Sequence, residues 1–195
     1  MIERRTRLND ADPRPEKRIA SEDRPQRFVL SVNWDLPFGQ GRAAGGNLHP
    51  LARRLIGGWT ANVIYTAQAG PPLGWGNLIY FGGGVNLNPH AVDNAFDVTR
   101  FERNAQRQLQ LNLRRFPSQF STLRSDGVNN MDFSAIKNNY INERFNLQFR
   151  AEFFNFFNRP SFNPPNLNPT SADFGRIVSQ ANLARSTQLA LRLVW

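Results

Sequence analysis

Residues 131–157 read MDFSAIKNNYINERFNLQFRAEFFNFF, and the second half of that stretch decides the fold class. Phe145, Leu147, Phe149, Ala151 and Phe153 are apolar at every second place, against Asn146, Gln148, Arg150 and Glu152. Successive side chains of an extended backbone point to opposite sides, so period two gives a strand one apolar and one polar face. The first half starts the same way, with Met131, Phe133 and Ala135 opposite Asp132 and Ser134. Its phase blurs after Ile136. Only Asn142-Glu143-Arg144 separate the halves, so a hairpin of strands near 131–142 and 145–157 is expected.

The same pattern recurs on both sides. The last eight residues, QLALRLVW, place Leu189, Leu191, Leu193 and Trp195 on one face of a strand near 185–195, with Gln188, Ala190, Arg192 and Val194 between them. Towards the amino terminus, RFVLSVNWDLPFG puts Phe28, Leu30, Val32, Trp34, Leu36 and Phe38 on one face, and Pro37 and Gly39 end that strand near 28–38. A further strand near 57–70 carries Trp59, Ala61, Val63, Tyr65, Ala67 and Ala69 opposite Thr60, Asn62, Thr66 and Gln68; Pro71 and Pro72 stop it. Residues 1–27, with three prolines, read as a loop leading in, and 40–56 read as a connector. Residues 73–130 contain Gly82-Gly83-Gly84, many Asn and a short helix expected around Thr99–Leu113. So long an irregular stretch is unusual inside a compact soluble domain and fits a large surface loop better.

Period two is common to a soluble β-sandwich and a membrane barrel, whose apolar faces point in opposite directions. Three features favour the barrel. Runs of about eleven residues at about 3.4 Å each span roughly 37 Å, or roughly 26 Å of height when tilted by about 45°, close to the ~25 Å apolar band of outer-membrane barrels. Aromatic residues stand at strand ends, at Phe28, Trp34, Phe38 and Trp59, as in an interfacial girdle. If the last strand descends to the periplasm, the turn 142–144 falls on the periplasmic side and the connectors 71–130 and 160–184 fall outside, leaving only the long connector 40–56 discordant. The expected class is therefore all-β: an antiparallel transmembrane β-barrel fragment of about five long strands with long extracellular loops. A soluble all-β binding or surface-interaction module is the alternative.

Composition excludes several other classes. There is no cysteine, so disulfides, zinc-thiolate sites and thiol nucleophiles are absent. His49 and His90 each lie beside a proline in a connector, away from clustered carboxylates, and imply neither metal nor acid–base chemistry. The triple glycine lacks the Gly-Lys-Ser/Thr that completes a phosphate loop. Proline in the middle of Asn168-Pro169-Thr170 rules out glycosylation there. No serine, acid and base assemble into a triad, so no enzyme, cofactor or metal is expected. A net charge of +9 invites a nucleic-acid reading. The bases of residues 1–27 are, however, interleaved with acids, and the surplus is scattered Arg in loops, so no nucleic-acid partner is expected. The opening MIERRTRLND has no apolar run after its basic residues and so no signal-peptide pattern.

RFVLSVNWDLPFGQGR, GGWTANVIYTAQAGPPL, MDFSAIKNNYINERFNLQFRAEFFNFFNRPSFNPP, FGRI and the closing QLALRLVW resemble the carboxy-terminal barrel part of TonB-dependent outer-membrane receptors, closest to the Oar-like branch. The resemblance covers most of residues 23–195 and is most specific over 131–162. It implies the outer membrane of a Gram-negative bacterium, a barrel of about 22 strands around a plug, and uptake of a solute energised by the inner-membrane TonB complex. Five strands cannot close a barrel, and their open edges would leave unpaired backbone groups in lipid. Residues 28–195 are therefore expected to be a carboxy-terminal segment that works with the remaining strands and the plug, through which alone TonB would act. In that frame Asn146, Gln148, Arg150, Glu152, Gln188 and Arg192 face the lumen. Leu189, Leu191, Leu193 and Trp195 face lipid and resemble the terminal signal read by the barrel-assembly machinery. Phe154, Phe156 and Phe157 read as a girdle or loop anchor at the outer interface.

Overall fold

Strands form at all five stretches of alternation: β1 (Arg27–Asp35), β2 (Trp59–Gln68), β3 (Val128–Tyr140), β4 (Asn146–Phe154) and β5 (Ser186–Val194). The computed structural model describes residues 7, 11, 13–39, 43, 44, 47, 49–108 and 113–195. Most of MIERRTRLND, most of the connector before His49, and part of the helix expected over 99–113 lie outside those residues. The strands are hydrogen-bonded in chain order, β1-β2-β3-β4-β5, as one open meander whose edges are β1 and β5. β3, β4 and β5 pair antiparallel, with Phe133 opposite Phe153 and Phe149 opposite Leu191. The Leu36 N–H donating to the Trp59 carbonyl and the Asn138 N–H donating to the Gly58 carbonyl, both at 2.9 Å, join β1 to β2 and β2 to β3.

The strands contain 9, 10, 13, 9 and 9 residues, and four of the five are shorter than their alternation suggests. They still reach the roughly 9–11 residues that cross a bilayer when tilted by about 45°. β1 stops at Asp35, because Pro37 has no N–H to give the ladder. Phe38 lies beyond the strand and bridges to Ala44. β3, whose alternation is the least regular, is the longest strand.

The connector between β1 and β2, read from the sequence without an element of its own, holds a helix, α1 (Pro50–Ile56). His49 caps it: its Nδ1 accepts from the Leu51 N–H at 3.4 Å, and Pro50 follows at a position whose N–H needs no partner. The helix expected around Thr99–Leu113 does not form over the described residues, which make two 3-10 turns at Val98–Arg100 and Ala105–Arg107. The Asp97 carboxylate accepts from the Thr99 N–H and the Asn104 side chain from the Gln106 N–H, at 3.0 and 2.9 Å. Side chains that take up backbone donors this way favour turns over continued helix.

Backbone contacts divide the chain into two compact units. A sheet unit comprises Phe28–Ala67, Asn129–Pro160 and Leu183–Trp195, and a loop unit comprises Met1–Arg27, Gln68–Val128 and Ser161–Asn182. The described residues of 73–130 form no strand before β3, as expected of a loop, yet they pack a core of their own. Trp75 stacks on Phe101 with ring centroids 5.7 Å apart and meets Phe96 and Phe116 edge-on at 5.2 and 5.3 Å. Phe174, from the second long loop, closes against Phe96 and Phe101 at 5.2 and 5.4 Å. The lead-in is tied to the same unit: the Glu16 carboxylate accepts from the Ser118 N–H and hydroxyl, both at 3.0 Å, and Asp23 pairs with Arg124 at 2.5 Å. Gly83, at φ 98°, is needed in its turn, because residues with a side chain rarely adopt that backbone conformation. Arg100 donates to the Gly82 carbonyl at 3.0 Å, and the Tyr80 hydroxyl donates to the Gly83 carbonyl.

Candidate functional site

The chemistry of the sheet unit lies in its two unlike faces. The register sets Gln148 opposite Asn138 and Arg192, and Glu152 opposite Ser134 and Gln188. With Asn146 and Arg150, all six polar residues singled out from the sequence therefore share one face. Asn138 links them: its Oδ1 accepts from Asn146 Nδ2 at 3.2 Å and from Gln148 Nε2 at 3.0 Å. Arg150 and Glu152 form an ion pair at 3.5 Å. On the same side of β1 and β2 the Thr60 hydroxyl donates to Asp35 at 2.7 Å. Asn62 Oδ1 and Asn146 Oδ1 are buried and have no partner among the described residues. Buried polar atoms are nearly always satisfied, so this face calls for polar material against it.

The opposite face is apolar. Leu147 lies opposite Leu193, Phe149 opposite Leu191 and Ala151 opposite Leu189, with Phe133, Ala135 and Lys137 continuing the rows on β3. Of the four carboxy-terminal residues singled out from the sequence, Leu189, Leu191 and Leu193 are exposed on this face, and Trp195 follows β5, 84% exposed. Trp34, Phe38 and Trp59 stand at the end of the sheet that carries the turn 142–144. Phe28 stands at the other end, tilted against Tyr65 at 6.2 Å.

Lys137 is the exception on the apolar face, and it accounts for the blurred alternation of β3. Its Nζ donates to the carbonyls of Arg54, Leu55 and Gly57 at 2.8, 3.0 and 2.6 Å, which are the free carbonyls at the end of α1. The Trp59 ring covers it at 5.2 Å. A lysine facing lipid costs about 2–4 kcal/mol at the bilayer midplane and about 0–1 near the interface. Three carbonyls and a ring remove the need to desolvate it unpartnered.

At the other end of the sheet β4 stops at Phe154 because Asn155 and Asn158 take left-handed backbone, at φ 49° and 52°. The Asn155 side chain accepts from the Arg159 N–H at 2.9 Å and donates to the Arg159 and Leu183 carbonyls at 3.0 and 3.1 Å. Its own N–H donates to Asp132 at 2.9 Å, and Asn158 accepts from the Arg185 N–H at 2.9 Å. The turn thereby ties β3, β4 and the start of β5 together. Phe156, beside Phe133 and Phe153 at 5.6 and 6.0 Å, extends the apolar face past the strand, and Phe157 packs on it at 5.3 Å. Lys137 and Asn155 were both missed from sequence. A lysine at an apolar phase and an asparagine between two Phe pairs are the signals that point to them.

No group of three His, Asp or Glu side chains placed to hold a metal ion occurs among the described residues. His90 lies 3.8 Å from Asp126. Asp97 is held below the ordinary carboxylate range by the Thr99 hydroxyl and N–H, with Arg100 beside it. A groove of about 340 Å³ opens between Tyr80, Val85, Phe116, Phe120 and Leu123, with Arg115 at its lining.

No curated protein and no solved structure matches the chain. A family model described as outer membrane beta barrel domain matches residues 4–188. That span takes in most of both units and reaches the first three residues of β5, Ser186 to Gln188, and the family's architecture accounts for a sheet with exposed leucines along its apolar side. The chain belongs to the outer membrane beta barrel domain family and is a protein of the outer membrane.

Proposed function

We propose that the chain is the carboxy-terminal barrel portion of a TonB-dependent receptor of the Oar-like branch, taking up a solute together with a plug and further strands. The observation that carries this is the pair of open edges, β1 and β5, on a sheet with one apolar and one polar face. In hydrocarbon each unpaired backbone group costs several kcal/mol, so both edges need partner strands. The polar face, with Asn62 and Asn146 unsatisfied, suits a lumen filled by a plug or water. The sequence resemblance supplies the TonB dependence. On this reading the loop unit is extracellular, and its aromatic groove beside Arg115 is the natural first contact for a solute.

The test is to isolate the outer-membrane protein that contains this sequence, weigh it and pass it over immobilised TonB periplasmic domain. A polypeptide several times 22.2 kDa that is retained supports the reading. A 22.2 kDa species that flows through overturns it. The same reading makes Leu189, Leu191, Leu193 and Trp195 the segment presented to the barrel-assembly machinery. Trp195→Asp then lowers assembled protein several-fold in membrane fractions, whereas unchanged assembly counts against the signal role.

A further inference from the structure

The carboxy-terminal end of α1 is held at the apolar face of the sheet. Lys137 is on that face, in the row of Phe149 and Leu191, and its Nζ is held by the last carbonyls of α1. Trp59 fixes the same junction from β2: its Nε1 donates to the Leu55 carbonyl at 3.0 Å, and its ring meets Phe149 edge-on at 6.3 Å. A helix needed only to turn the chain would cover its apolar residues or carry none. Instead Leu51 and Leu55, one turn apart and so on one side, are 68% and 70% exposed, with the exposed Arg54 beside them.

We propose that α1 is a lipid anchor, in which Leu51 and Leu55 enter the acyl-chain boundary at the short-turn end of the sheet while Arg54 reaches the headgroup phosphates. This rests on the membrane placement of the family and goes beyond it. Lipid is the occupant because the end of α1 that carries Leu55 is fixed to the apolar face of the sheet, which the family places against lipid, by Trp59 and Lys137. Tryptophan is enriched at the membrane–water boundary. An amphipathic helix with leucine on one side and arginine at its flank lies in that boundary plane. Lys137 is the tether: it satisfies the carbonyls that a helix end would otherwise expose to hydrocarbon.

Residues 1–195 contain no cysteine, and any cysteine elsewhere in the receptor is replaced by serine so that single labels are unambiguous. Leu51→Cys, Leu55→Cys, Glu143→Cys and Leu191→Cys are each labelled with an environment-sensitive fluorophore in the receptor assembled in phosphatidylethanolamine–phosphatidylglycerol vesicles. Quenching by nitroxides at shallow and deep positions on the lipid is compared with quenching by aqueous iodide. The expected result is shallow-lipid quenching at positions 51 and 55, deep-lipid quenching at 191, and iodide quenching at 143. Lys137→Met reduces the lipid quenching at 55 several-fold while the label at 191 is unaffected. Iodide quenching at 51 and 55 overturns the anchor, as does shielding from both agents, which would mark a protein partner. Full quenching at 55 in the Lys137→Met variant overturns the tether. Should 191 be lipid-quenched and 51 and 55 not, the anchor fails while the membrane placement of the sheet stands.

Discussion

Trp75, Phe96 and Phe101 of the loop unit are 2–3% exposed, whereas Trp34 in β1 and Leu191 in β5 are 56% and 68% exposed. The first group sits in backbone with almost no regular structure, and the second in long, well-paired strands. Regular backbone and a buried core therefore come apart in this chain. In the loop unit the hydrophobic effect acts as it does in water, gathering side chains that are distant in sequence into one cluster. Between the edges of the sheet the backbone is satisfied by its ladder, and the apolar side chains wait for a solvent that is itself apolar. A surface that would promote aggregation in water becomes a lipid contact in the outer membrane.

The largest expected effect comes from breaking the core on the loop side. Trp75→Ala leaves a cavity among the rings of Phe96, Phe101 and Phe116, and truncation of a buried Trp costs about 3–5 kcal/mol. Limited proteolysis of the assembled protein should then cut residues 73–123 far faster, with membrane fractionation unchanged. The converse experiment is on the sheet. Leu191→Arg puts a charge towards the middle of the apolar face and is expected to cost about 2–4 kcal/mol in urea refolding into vesicles. Gln188→Arg, on the polar face, should change stability by less than about 0.5 kcal/mol. Equal costs at the two positions would erase the distinction between the faces.

A smaller effect is expected where the sheet ends. Asn155→Ala removes three hydrogen bonds of a buried side chain, worth about 1–3 kcal/mol, and adds backbone strain at φ 49°. Asn155→Gly relieves the strain and keeps the loss, so its melting temperature should fall between those of the alanine variant and the parent. The smallest effect is at Asp97. Its folded carboxyl titrates below the ordinary 3.8, so its contribution is fully present above that value and lost as pH falls through the folded value. Amide exchange at Thr99 should quicken in that acid range, and Asp97→Asn should remove the pH dependence.

Where the fold was legible in the sequence, one physical cause underlies it. All five strands follow from alternation at period two, because a ladder with unlike faces imposes that period locally. The six polar residues from Asn146 to Arg192 could be placed on one face for the same reason. Their linkage through Asn138 could not, since it depends on the register between strands. α1 escaped because seven residues capped by a histidine show neither the length nor the usual capping residue of a helix. The core of the loop unit escaped because Trp75, Phe96, Phe116 and Phe174 follow no period at all, and only long-range packing brings them together. β3 looked weakest because Lys137 breaks its phase, and the reason lies some eighty residues away at the end of α1.

The most direct test of the uncovered face is a cysteine scan of residues 186–194 in the protein assembled in the outer membrane. Each site is read for contact with nitroxide lipid and for labelling by a water-soluble maleimide. The account predicts lipid contact at 187, 189, 191 and 193 and aqueous labelling at 188, 190 and 192, alternating residue by residue. Aqueous labelling at 189, 191 and 193, or no alternation along β5, would contradict it.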